Sequence, residues 1–458
     1  MKKYLLIVFF CIEFVSIAQI RITGKVIDSE SVPLIGAAVY LNNTSIGTTT
    51  DDNGEFELFI KQGVHDLIIS YLGYETIQYK IDTNKPLKKI IFRTKETGNI
   101  LEEIVLENKK YSKEDRAYFL SRFRNTFIGK TIFSQNCKIL NPDVIQFHYD
   151  SETKILEAYV RKPIEILNKD LGYKIFYDLV HYELTQSKIT YLGYSRYQDL
   201  KGGKSKQRKW SKNRLRAYNG SKMHFIRAAR KGELRKDGFI MGLSKRILNP
   251  ERPSDSILKK ARKYLRSLNT KSDTSQTFKI LSNKNLQLRE NRKKVINQLK
   301  KKHEFKNITI KSINNLINSP AIVRKNKDGL YEANILAGLN YKRDSVLKII
   351  NKSRLKKFID VKITDSITDG EFLTKINKDV IMMFKNYLDI KYMNEKEEFN
   401  YRRGPNRLNY QATKLILFSD SVVLDKSGVF IEPLDVFMEG YWGYEKIADA
   451  LPLDYRPL

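Results

Sequence analysis

Ile20-Arg21-Ile22-Thr23-Gly24-Lys25-Val26, then Pro33-Leu34-Ile35-Gly36-Ala37-Ala38-Val39, then Asp51-Asp52-Asn53-Gly54-Glu55-Phe56 decide the fold of the N-terminal part. Ile20, Ile22 and Gly24 alternate with Arg21, Thr23 and Lys25, the period of a half-buried strand. Turn signals recur at Ser29-Glu30-Ser31, Asn42-Asn43, residues 51–54 and Lys61-Gln62-Gly63. The stretches between and after them, residues 37–41, 55–60, 65–71 and 88–92, read as strands. Short strands at that spacing predict a small antiparallel sandwich. Asn53-Gly54 is a hairpin turn, because both residue types tolerate positive φ. Gly36, Gly47, Gly54 and Gly73 are expected to serve turns and close strand packing, not a ligand.

With Gly47-Thr48-Thr49-Thr50-Asp51 and Ser70-Tyr71-Leu72-Gly73-Tyr74 added, residues 20–95 resemble the carboxypeptidase-regulatory-like domain. The resemblance implies a seven-stranded transthyretin-like β-sandwich. That domain is common in envelope proteins of Bacteroidota and often precedes the plug of TonB-dependent receptors. Leu101-Glu102-Glu103-Ile104-Val105-Leu106 is similar to the segment joining it to a plug. A receptor barrel would add several hundred residues of alternating strands, and no such run follows, so a receptor is not expected. Nor is a zinc carboxypeptidase, which needs a Glu three residues after a His. The residues three after the five histidines are Ile68, Ser151, Leu184, Arg227 and Lys306. The metalloprotease helix motif is missing too. No metal, cofactor or assigned catalytic residue is therefore expected.

Upstream, Lys2 and Lys3 precede an apolar run over residues 4–12, and Ser16-Ile17-Ala18 supplies small residues for cleavage. Residues 1–18 read as a signal peptide, because a membrane span needs about 20 apolar residues. Cleavage would leave Cys137 as the one cysteine, so no intramolecular disulfide is expected. The expected product is exported, periplasmic or outer-membrane-associated, with no transmembrane span. The chain reads as β-rich α+β. A sandwich (19–108) precedes a mixed α+β domain (109–245), a basic helical insertion or linker (246–305) and a β-rich C-terminal part (306–458) packed with 109–245.

Downstream, Ser112 caps a helix carrying Phe119, Phe123 and Phe127 on one stripe. Tyr173, Ile175, Tyr177 and Leu179 share one face of a long strand. The dense motif is residues 210–228, a helix broken at Asn219-Gly220 with Ser221 capping the next. Together with residues 136–142 and Leu171-Gly172-Tyr173 it resembles a larger Bacteroidota family, in which the regulatory-like domain precedes a body of unassigned activity. Trp210, Asn213, Arg214, Tyr218, Ser221 and His224 are the candidate anion or ligand residues. Arg supplies a planar donor fork and the helix start supplies free amides. The competing reading places the aromatic residues in the core, with Arg214 and His224 satisfying buried carbonyls. Tyr441, Trp442 and Tyr444 either stack on sugars or dock the C-terminal segment.

The net charge is +31, of which +26 lies between residues 201 and 302, while the first 110 residues sum to −1. Ile257, Leu258, Ala261, Tyr264 and Leu265 share one face of a predicted helix, and Lys259, Lys260, Arg262, Lys263 and Arg266 cover the rest. Such a helix suits an anionic lipid surface or polyanion, or reflects lysine-rich composition. Residues 289–302 read as a second basic helix. Export and the lack of a binding motif argue against nucleic acid. The leading expectation is a non-enzymatic envelope protein with an interaction or scaffold role, partnered by an envelope protein or anionic lipid. The alternatives are an enzyme on an envelope polymer with a site near residues 210–227, and an accessory subunit whose sandwich extends a partner's sheet.

Overall fold

The computed structural model describes residues 19–97, 111–269, 279–280, 323–325, 331–333, 345–402 and 406–457. The predicted signal peptide, the 101–106 segment and the helix at 289–302 lie outside the described residues. The chain divides into two units, residues 1–244 with 362–458, and residues 245–361.

Seven strands build the N-terminal sandwich of the first unit. One sheet has the order Glu55–Lys61, Gln19–Ile27, Ile90–Arg93. The other runs Gly47–Thr49, Ala38–Leu41, Val64–Ser70, Ile77–Asp82. The strand over 55–61 alternates exposed and buried residue by residue, as its sequence predicts. Ile22, Val26, Phe56, Leu58, Leu67 and Ile69 meet between the sheets. Gly54 has φ +70°, and a Cβ there would lie 2.6 Å from the Val26 carbonyl, so the hairpin requires glycine.

A six-stranded sheet follows, in the order Cys137–Ile139, Ile164–Asn168, Tyr173–Leu184, Ile155–Val160, Ile145–Asp150. Its sixth strand, Ile189–Asp199, also pairs with Tyr173–Leu184. Helix α1 (Lys113–Phe127) starts at Ser112, whose Oγ accepts the Asp115 N–H at 3.0 Å. It presses Phe119, Phe123 and Phe127 onto this sheet. The long strand departs from simple alternation. Tyr173, Ile175 and Tyr177 are buried, but the register shifts between Leu179 and His181, and Tyr182 and Leu184 are buried beyond it. A bulge adds one residue and so exchanges the inward parity.

Helices α2 (Lys204–Tyr218) and α3 (Lys222–Lys231) lead into a third core. There Phe225, Ile226, Ala228 and Ala229 of α3 pack with Phe239, Leu388, Leu415 and Trp442. This core is carried by antiparallel pairs joining Phe239–Leu248 to Tyr387–Tyr392, that strand to Gln411–Leu417, and the latter to Val436–Gly440. Residues 429–431 form no strand, and a single bridge joins Leu424 to Phe430.

The sandwich is fixed to the six-stranded sheet. Tyr40, fully buried, donates its hydroxyl to Asp178 Oδ2 at 2.5 Å. The Asn43 N–H donates to the Ser195 carbonyl at 2.7 Å, and the Tyr197 N–H to the Thr44 carbonyl at 2.9 Å. The C-terminal segment adds a staple, with Leu453 N–H on the Asn43 carbonyl at 2.7 Å and Ser45 N–H on Asp454 Oδ1 at 3.0 Å.

In the second unit, helix α4 (Asp255–Asn269) buries Leu258 and Ala261. Lys259, Lys260, Arg262, Lys263 and Arg266 cover its other side, and all five are exposed. Arg246 holds Asp360 through two hydrogen bonds of 2.7 and 3.1 Å. Asp255 is paired with Arg252 and Lys357.

Candidate functional site

Three of the six sequence candidates serve one tight turn. Trp210 donates Nε1–H to the Lys169 carbonyl at 2.9 Å, and Asn213 donates Nδ2–H to that of Asp170 at 2.8 Å. Arg214 donates to the carbonyls of Leu171 (2.7 Å) and Gly172 (3.2 Å) and to Asp199 (2.8 Å). Its guanidinium lies 3.8 Å above the Tyr173 ring. Four successive carbonyls, 169 to 172, are thus received by one face of α2. Gly172 adopts φ +75° directly under the indole, where a Cβ would overlap the ring.

The elbow at Asn219-Gly220 engages the other candidates. Ser221 Oγ accepts the His224 N–H at 3.2 Å and donates to the Tyr218 carbonyl at 2.6 Å, capping α3. His224 Nδ1 accepts the Gly220 N–H at 3.1 Å, and Nε2 faces Asp237 Oδ2 at 3.2 Å. Burial lowers the imidazole pKa, opposed by the Asp237 charge, and the Nδ1 acceptor role fits the neutral ring. Both ring nitrogens are engaged, so His224 has none to offer Ser221 as a base. The Tyr218 ring packs against His224 at 4.8 Å between centroids. Trp442, 6% exposed, donates to the Gly220 carbonyl at 2.7 Å, so it docks the C-terminal segment and is not a free stacking platform.

Ser221 and the two residues after it, Lys222 and Met223, also line a cleft of about 860 Å³. Its other walls include Tyr191 on the strand Ile189–Asp199, and Tyr444, Glu445, Lys446 and Asp449 of the C-terminal segment. Burial raises the Glu445 carboxyl well above its ordinary value, reinforced by the charges of Asp449, Glu398 and Glu395. Burial likewise pushes Asp449 up, although the Lys446 N–H (3.2 Å) and the Thr131 hydroxyl (3.0 Å) donate to it. Lys446 falls to about 8, through burial first and the neighbouring Lys222 charge second. Lys222 is lowered by burial as well. The Glu445 charge opposes the fall at Lys222, and the Asp449 and Glu445 charges oppose it at Lys446.

Sequence reasoning missed this set because it is split between residue 222 and residues 445–449. The available signal was charge, in Glu445-Lys446 and Asp449 within an otherwise aromatic and apolar C-terminal run. Among the described residues, no group of three or more His, Cys, Asp or Glu is arranged to hold a metal. None of their helices is long and apolar enough to cross a membrane.

The strands of the sandwich fall almost wholly on the segment that a family model matches, residues 22–106. That segment is a CarboxypepD_reg-like domain. The domain is similar to part of two curated bacterial proteins. TonB-dependent receptor P39 of Formosa agariphila is 32% identical over 100 residues, 22% of this chain and 9% of the receptor. TonB-dependent receptor SusC of Bacteroides thetaiotaomicron is 34% identical over 88 residues, 19% of this chain and 8% of the receptor. The chain thus spans less than a tenth of either receptor.

Proposed function

We propose that the protein is an exported, envelope-associated protein with an interaction role. The observation that carries this is the CarboxypepD_reg-like domain at residues 22–106, shared with two proteins named as TonB-dependent receptors. The domain is not on a free tether. It is bonded to the body through Tyr40, Asn43, Thr44 and Ser45, which suits a module that presents a surface at a fixed angle. The basic side of α4, with Lys259, Lys260, Arg262, Lys263 and Arg266, suits an anionic lipid surface, where each cation near the plane contributes about 1 kcal/mol.

Fractionation of the native host by osmotic shock, with immunodetection, tests the location. The protein should leave with the periplasm or sediment with the envelope, and recovery in the cytoplasm overturns the reading. Vesicle flotation tests the surface. Binding to anionic but not zwitterionic vesicles should fade between about 0.02 and 0.3 M salt as screening shortens. Binding that persists unchanged after charge reversal at Lys259, Lys260, Arg262 and Lys263 removes α4 from the account.

An enzyme built on residues 210–227 has less to stand on. Trp210, Asn213, Arg214 and His224 have their polar groups engaged by the fold.

A further inference from the structure

We infer that the cleft takes an extended, uncharged peptide segment of a partner as an added strand, inserted between the edges of the strands Ile189–Asp199 and Val436–Gly440. The inference names a kind of partner and needs no envelope location, so it survives if that reading fails. The first observation is which residues line the cleft. A strand that turns a face to a cavity contributes every second residue. Here Ile189 to Gly193 contribute in an unbroken run, and so does the whole of Val436–Gly440. Burial does not alternate along either run. Residues 189–193 are all half-buried, as are residues 437–440. Both strands therefore turn an edge to the cleft.

The second observation is that both edges are open there. Ile189–Asp199 pairs with Tyr173–Leu184 alone, and Val436–Gly440 ends its sheet beyond Gln411–Leu417. The Phe418 N–H donates to the Asp435 carbonyl at 2.8 Å, so the next bonded pairs in register are Ile416 with Phe437 and Lys414 with Glu439. Met438 thus turns its N–H and carbonyl to the open side, where no backbone bond from a described residue reaches them. On the other strand Ser195 and Tyr197 point outward, since they bond to Asn43 and Thr44. The same parity turns Gly193, Tyr191 and Ile189 outward, and among the described residues these make no backbone bond on that side.

The third observation is continuity. Asn43 and Thr44 already extend this edge at Ser195–Tyr197, with a parallel bridge from Thr44 to Arg196, and Leu453 bonds to Asn43 beyond them. Residues 189–193 continue the same edge without such a partner. An open edge is a template for a further strand, whose main chain supplies affinity and whose alternate side chains supply selectivity. Those side chains meet Leu192, Met223, Phe437 and Met438, and the lining extends to Phe418 and Leu434, both more than half exposed. The cations Lys188, Lys222 and Lys446 are matched by Glu439, Glu445 and Asp449, so the lining has no net formal charge to draw in a charged segment.

The test is fluorescence anisotropy of the full chain with a pool of labelled peptides of about seven residues, alternating Val, Ile or Phe with Thr or Ser. At least one member should bind with a Kd below about 1 mM. Replacing its Thr and Ser by Lys, or by Glu, should weaken it at least about tenfold. N-methylation of its odd amides, and separately of its even amides, should each weaken it at least about tenfold, because an inserted strand bonds to both edges. Hydrogen exchange adds a readout that side-chain contact alone would not move. On binding, the amides of Ile189, Tyr191, Gly193 and Met438 should slow at least about tenfold, while those of Thr190, Leu192 and Phe437, already turned to their ladders, should change little. Met438→Pro should abolish binding, since it removes an outward N–H at an edge position that tolerates proline, and Met438→Leu should keep it. A melting curve of Met438→Pro shows that the variant remains folded. No member binding below about 1 mM, or binding indifferent to N-methylation, overturns the inference. Protection of the same amides with rising protein concentration and no peptide would assign the edges to a second copy and overturn it as well.

Discussion

Replacing Arg227 with Met should release the C-terminal staple while leaving the packing of α3 in place. Arg227 is 8% exposed, and its guanidinium donates to three carbonyls, Ser427 (2.9 Å), Leu453 (2.9 Å) and Tyr455 (3.0 Å). Met keeps most of the length and the apolar stem but removes every donor. Hydrogen bonds to a charged group contribute about 1.5–3 kcal/mol each. The carbonyls of 453 and 455 regain water when released, so the net loss is about 3 kcal/mol and not the full sum. The described residues form three separate cores, and a global melt need not be two-state. Local hydrogen exchange is therefore the assay. The amides of Leu453 and Ser45, which donate to Asn43 and Asp454, should exchange about a hundredfold faster in Arg227→Met. Phe225 and Ile226 amides inside α3 should change little. Exchange at Leu453 within about threefold of wild type would refute the claim that Arg227 holds the staple.

Gly172→Ala should cost at least about 2 kcal/mol in urea unfolding, because φ is +75° and the new methyl would overlap the Trp210 ring. Trp210→Ala should cost about 3–5 kcal/mol, and the double variant less than the sum, since the two changes share one contact. Tyr40→Phe should leave Asp178, already raised in pKa by burial, without its 2.5 Å donor. Limited proteolysis between sandwich and body should accelerate, and Asp178→Asn should restore protection. The cleft predicts a pH dependence. Asp449 is raised from 3.8 to about 7, so its contribution is fully present below the unfolded value and is lost as pH rises through 7. Asp449→Asn should flatten that fall in urea unfolding at stepped pH, and an unchanged slope would contradict the raised carboxyl.

The sandwich was legible because its information is local. Alternation, turn residues and glycine positions lie close to the strands they specify, and the strands at 19–27, 38–41, 55–61, 64–70 and 90–93 answer to them. Gly47–Thr49 and Ile77–Asp82 were not marked in this way. The first is three residues long, and the second buries only Ile81 fully, so neither carries a clear two-residue period. The α2–α3 elbow was legible because Asn219-Gly220-Ser221 carries both the break and the cap. The bulge at Leu179–His181 was not, because nothing in the strand's own sequence marks the extra residue. The candidate site failed differently. Residues 210–224 were singled out for their polar density, but the partners that engage them lie at 169–172 and 237. Ser221 does face the cleft, but most of the lining comes from distant parts of the chain, among them residues at 187–197 and 433–453.

The basic excess shows why charge density alone does not locate a binding surface. Residues 201–236 hold fourteen Lys and Arg, which as sequence suggests a patch. In the fold, Lys209, Arg214, Arg216 and Lys236 face carboxylates, while Arg227, Arg230 and Arg235 donate to backbone carbonyls. Half of that charge is therefore engaged by the protein's own carboxylates and carbonyls, although the Lys209, Arg216 and Lys236 side chains stay half-exposed or more. Lys222 belongs to the same stretch by composition, yet it is half-buried in the lining of a cleft, where burial lowers its pKa against the charge of Glu445. On α4 the cations differ again, lying along the side of a helix opposite to Leu258 and Ala261. A single number for net charge thus conceals three roles, and they separate by salt. The Arg227 bonds, buried in the fold, are shielded from added salt, while the exposed Lys236–Glu233 pair is not. The α4 face should lose its hold on an anionic surface as added salt shortens the Debye length.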